Sequence, residues 1–174
     1  MESKHFWTKT ILSVYRYLER ICDAIDKICV TSALSSTDIL GQNYFFNNVY
    51  AISQKLIDLG QRKITLINLK LLTEDVLSKM KEDQANLLIE KYIDARKTKD
   101  IAIKNNLSLR SAFRKLTLAE ESFDRKLNVM GYDDKKISNM LKDETWINNV
   151  YERLCQDDKE IDLGKKELDG AIKL

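Results

Sequence analysis

Arg110, Arg114 and Lys115 are the residues of this chain whose type and spacing best suit chemistry, and that chemistry is recognition of negative charge. Two arginines four positions apart share a helix face, and each guanidinium can pair with guanine O6 and N7 in bidentate fashion or hold a phosphate. They belong to a stretch from Arg96 to Leu118 with seven basic residues (Arg96, Lys97, Lys99, Lys104, Arg110, Arg114 and Lys115) and one acid, Asp100, a local charge of +6. The rest of the chain carries 22 basic and 26 acidic residues, or −4, so the overall net charge of +2 is an average over two unlike parts. A concentrated basic patch on a near-neutral protein is the electrostatic footprint expected of phosphate contacts.

Covalent chemistry has few parts to work with. The one histidine, His5, reads as a solvated residue. Cys22, Cys29 and Cys155 are odd in number and lack metal-ligand spacing; Cys22 and Cys29 read as small core residues in a reducing cytosol. The acidic pairs Glu120-Glu121, Asp133-Asp134 and Asp157-Asp158 suit helix dipoles and solvation. Neither a Gly-rich phosphate loop nor a nucleophile elbow is present, so the expectation is a non-enzyme with no cofactor and no metal.

The basic residues need elements to aim them. Ser108 is placed to cap a helix that continues to 129, and Ala112, Leu116, Ala119 and Phe123 fall at spacings of 4, 3 and 4 on its buried face. That leaves Leu109, Arg110, Ser111, Arg114 and Lys115 on or beside the outward face near the N-terminal end. A short helix over 98–105 precedes it, with Ile101 and Ala102 inward, and Asn105-Asn106-Leu107 makes the turn; Asn106 suits the left-handed conformation. An approach helix over 82–95 carries Leu87, Leu88, Tyr92 and Ile93. Lys97, Lys99 and Lys104 flank the unit where phosphate positioning and plain solubility are both open readings. The whole has the dimensions of a helix–turn–helix, a motif that sets the start of its second helix in the major groove.

Residues 80–127 also resemble region 4 of bacterial sigma-70-type factors. The residues that carry the likeness are Leu88 to Tyr92, Ile101-Ala102, Leu107-Ser108, Ser111, and Arg114-Lys115-Leu116 followed by Ala119 and Phe123. Asn106 stands at the habitual turn glycine and Asn105 at a usual aliphatic. Residues 1–75 do not look like sigma region 2. The resemblance therefore implies a stand-alone bacterial or phage transcription regulator, with double-stranded DNA and RNA polymerase as partners. The competing expectation is a non-catalytic helical adaptor whose helix–turn–helix serves packing or partner binding.

The remaining sequence is strongly helical. None of the 174 residues is proline and five are glycine, which favours long helices joined by few turns. Trp7, Ile11, Val14, Leu18, Ile21, Ile25 and Ile28 form a heptad seam that must close either on the next helix or on a second copy as a homodimer. Thr31 to Gln42 reads as a loop. From Asn43 to Met80 the pattern resumes, as one very long helix or as two divided at Gly60. Helices over 133–142 and 144–155 follow. The expected fold is thus all-α: a long helical arm or hairpin over 1–79, a helix–turn–helix over 80–130, a helical cap over 131–155 and a charged tail over 156–174. Neither a signal-like start nor a membrane-length apolar run is evident, which gives the expectation of a cytoplasmic protein.

Overall fold

A computed structural model describes residues 5–37 and 45–157, leaving aside the side chains of 34–37 and 45–49. The described residues form helices joined by short turns and contain no strand. In chain order they form α1 (Phe6–Thr37), α2 (Phe45–Ser78), α3 (Glu82–Leu88, widened into a π-turn at Ile89–Ile93), α4 (Thr98–Lys104), α5 (Leu109–Val129) and α6 (Asp134–Met140). A further helix, α7, spans 145–157. No helix among the described residues is long and apolar enough to cross a membrane.

One sequence expectation changes here and one open alternative is decided. α1 does not stop at Thr31 but continues to Thr37, so the first part of the expected loop is helix; the rest of it, 38–42, lies outside the described residues. The physical reason is that a threonine hydroxyl can satisfy itself inside a helix. Thr31 Oγ1 donates to Lys27 O at 2.8 Å, and Thr10 and Thr73 make the same bond to Phe6 O and Leu69 O. Second, α2 is one helix of 34 residues that runs through Gly60 without a break. The expected charged tail from 156 also lies outside the described residues, apart from Gln156 and Asp157 at the end of α7.

The chain divides into two compact units whose boundary falls inside both long helices, near residues 14 and 76. In the unit formed by 15–75, α1 and α2 run antiparallel. Their side-chain pairs descend in step: Tyr15 with Glu74 at 2.6 Å, Glu19 with Lys70 at 3.4 Å, and Asp26 with Lys63 at 2.6 Å. Between these polar flanks lie the buried residues Leu18, Ile25, Leu59, Leu66, Leu69 and Leu72. Ile21 is half-buried and Ile28 is 44% exposed. Cys22 and Cys29 are half-buried free thiols, and burial pushes the Cys22 thiol upward.

In the other unit, residues 5–14 join 76–157. Trp7, Ile11, Leu12 and Val14 are buried there, with the Trp7 ring stacked on Tyr151 at 4.3 Å and Phe6 meeting the same ring edge-on. Five of the seven heptad-seam residues are therefore buried within the single chain. Thr8 Oγ1 donates to Asp124 at 3.2 Å, and Lys9 Nζ lies 3.7 Å from Glu120, which also accepts the Tyr92 hydroxyl proton at 2.7 Å. His5 is not a solvated end residue: its Nδ1 lies 3.0 Å from Asp124 Oδ2, off hydrogen-bond geometry.

Two expected outcomes follow from the antiparallel pair. Leu69 is fully buried, so Leu69→Ala should cost about 2–5 kcal/mol in denaturant unfolding, whereas Lys70→Ala should cost less than about 1 kcal/mol. Burial first, and then the hydrogen bond to Glu74, push the Tyr15 phenol up to about 12. Its protonated form is favoured by folding, so this contribution is complete below pH ~10 and is lost as pH rises through 12. A phenolate absorbance titration should find this late group, and Glu74→Gln should bring its midpoint down.

Candidate nucleic-acid interface

α5 is the element that aims the basic residues, and its rotation is fixed by what it buries. Ala112, Leu116, Ala119, Phe123 and Leu127 are all buried, each three or four positions from the next. α3 and α4 both pack on this helix, with Leu87, Ile101 and Leu116 clustered at the junction. Alanine at 112 and 119 leaves room for the neighbouring backbones, and Leu116 and Phe123 fill the space between.

The connection from α4 to α5 follows the expected chemistry. Asn106 adopts φ 53°, the left-handed conformation that asparagine tolerates better than most residues. Leu107 N donates to Ala102 O at 2.8 Å, closing the turn. Ser108 Oγ then accepts from Ser111 N at 3.1 Å and caps α5. Asn105 is exposed; its Nδ2 donates to Ile101 O at 2.9 Å and lies 3.4 Å from Glu90 Oε2.

Every residue expected at this surface is exposed: Lys97, Lys99, Lys104, Ser108, Leu109, Arg110, Ser111, Arg114 and Lys115. They differ in how much of their charge is free. Lys104 pairs with the largely buried Glu90, and Arg96 lies 3.6 Å from Asp94. The sequence window beginning at Arg96 left both acids out. Over 90–118 there are eight basic and three acidic residues, a surplus of +5 in a slightly longer window. Lys97, Lys99, Arg110, Arg114 and Lys115 have no ion-pair partner among the described residues.

The acids of the same helix are turned to other work. Glu120 and Asp124 face Lys9, Tyr92, His5 and Thr8, so two of the three acids of α5 are spent on internal contacts. Burial and the neighbouring Glu120 charge raise the Tyr92 phenol, keeping it a hydrogen-bond donor. α5 is thus cationic and outward at its start, with Glu120 and Asp124 turned to internal contacts farther along.

The sequence placed Leu109 on this surface but not its three apolar neighbours. Ile103, Leu109, Phe113 and Leu118 are 67, 49, 55 and 44% exposed, so an apolar fringe borders the arginines. Phe113, next to the buried Ala112 in sequence, falls off the buried stripe, and that spacing was the available signal. Among the described residues no group of three or more His, Cys, Asp or Glu side chains converges as a metal site. No family model, no curated protein and no solved structure matches this chain.

The cap and the turn should be separable by mutation. Ser108→Ala removes the α5 cap and should lower unfolding stability by about 1 kcal/mol. Asn106→Gly should be tolerated, while Asn106→Val should cost about 1–2 kcal/mol because its branched side chain resists positive φ. Equal stability of the glycine and valine variants would contradict the left-handed turn.

Proposed function

We propose that this chain is a sequence-specific DNA-binding transcription regulator that presents residues 108–118 of α5 to the major groove. The observation that carries the reading is that Arg110, Arg114 and Lys115 are exposed, with no ion-pair partner among the described residues, on a helix whose opposite face is buried. A helix held in this way offers its first turns outward, the geometry that a helix–turn–helix uses to reach base edges. In this role Arg110 and Arg114 contact bases, Lys115 and the exposed Ser111 flank them, and Lys97 and Lys99 hold phosphates. Lys104 is better suited to bracing α4 through Glu90 than to a phosphate contact. The sequence resemblance to sigma region 4 supports the same reading and adds RNA polymerase as a partner.

Duplex binding measured by anisotropy across salt concentrations tests this. With Lys97, Lys99 and Lys115 available to phosphates, log K should fall against log salt with a slope of about −3. Arg114→Ala should cost about 1–3 kcal/mol and relax sequence preference, whereas Lys99→Ala should weaken all duplexes alike and reduce the slope by about 1. Failure to bind any duplex at low salt, or an Arg114→Ala variant that binds as well as the parent, refutes the proposal.

The exposed fringe of Ile103, Leu109, Phe113 and Leu118 favours a second reading, a non-catalytic helical adaptor that docks a protein partner on this surface. Absence of duplex binding at low salt would turn the assignment to it.

A further inference from the structure

α2 has two apolar faces, and α1 covers one of them. On that side Leu59, Leu66, Leu69 and Leu72 are buried. On the other side Tyr50, Ile57, Ile64 and Leu71 recur every seven residues, and they are 75, 64, 52 and 56% exposed. Ile67 lies beside them at 38%.

A solvent-facing helix surface is ordinarily charged, and this chain has ample charge to supply. Yet the five charged residues between Tyr50 and Leu71, namely Lys55, Asp58, Arg62, Lys63 and Lys70, all fall outside this stripe. Ser53, Gln54, Gly60, Gln61 and Asn68 fill the spaces between its apolar side chains. Large apolar residues with charge excluded is the composition of an interface centre.

Gly60 sits at the middle of the stripe. A glycine inside a helix lowers helix stability, and the chain's own packing does not call for this one: a Cβ there would meet nothing within 4 Å. A missing side chain on an outward face does one thing readily, which is to let another helix approach closely.

We propose that this face binds the same face of a second copy of the chain, α2 antiparallel to α2, with the two-fold axis at the Gly60–Gln61 peptide. A seven-residue apolar repeat is the signature of helices wound on one another. A two-fold interface further requires that if one position meets another, the second also meets the first. Tyr50 and Leu71 are equidistant from the Gly60–Gln61 peptide, and so are Ile57 and Ile64. Antiparallel pairing therefore sets Tyr50 against Leu71 twice and Ile57 against Ile64 twice, with the glycines at the crossing. Covering the five exposed apolar side chains on both copies removes on the order of 1,200 Å² of surface, the lower edge of a specific interface. The interface is independent of the DNA reading and is not the Trp7–Ile28 seam, whose residues are mostly buried within one chain.

Sedimentation equilibrium of the full chain across the micromolar range tests the proposal. The parent should pass reversibly from monomer to dimer, and Ile57→Glu combined with Ile64→Glu should weaken association at least about tenfold with an unchanged helical spectrum. Both positions are exposed, so the double variant should fold. Gly60→Gln gives an independent readout, because it should raise the melting temperature of the monomer while weakening the dimer. A parent that remains monomeric, which is also the outcome if a different protein or residues 158–174 cover the face, overturns the proposal. So does a double variant or a Gly60→Gln variant that dimerises as tightly as the parent.

Discussion

Burial of one stripe on α5 is the constraint on which the rest of its unit depends. Ala112, Leu116, Ala119, Phe123 and Leu127 cannot all be withdrawn from water unless the helix stands at one rotation. Once that rotation is set, Arg110 and Arg114 have no choice but to face outward, and Glu120 and Asp124 come within reach of α1 and Tyr92. Apolar burial supplies the stability, and the charges take the directions that remain. This order of cause explains how an exposed basic face can coexist with a chain of nearly neutral total charge.

The electrostatic arrangement is local and partly self-cancelling. Glu90 lies under α4 and binds both Lys104 and Asn105, so a residue that reads in sequence as a patch cation is committed to holding the short helix. With Lys104 and Arg96 paired, the free charge is drawn toward the start of α5 and the two lysines at 97 and 99.

Much of this was legible in the sequence because it rests on short-range rules. The serine cap, the left-handed Asn106, the buried spacing of 112, 116, 119 and 123 and the all-helical character each follow from residues a few positions apart. The Glu90–Lys104 pair joins residues fourteen positions apart across two helices, and no spacing rule reveals it. The heptad seam was legible as a buried line, but not what would cover it. Its early members pack in one unit and Leu18 and Ile25 in the other. The end of α1 was misplaced because serine and threonine signal loops and yet also bond back to a helix carbonyl, as Thr31 does.

By itself, then, the sequence determined the helical character, the Ser108 cap, the Asn106 turn and the buried stripe of α5, because these depend on backbone preferences and on periodicity along one element. Tertiary structure alone decided which cations remain unpaired and which apolar stripes find a cover. α2 makes the difference plain. Its two stripes look alike as strings of leucine and isoleucine, and one is buried against α1 while the other stays open. A helix meets a given neighbour along one side, and which side that is depends on residues far away in the chain.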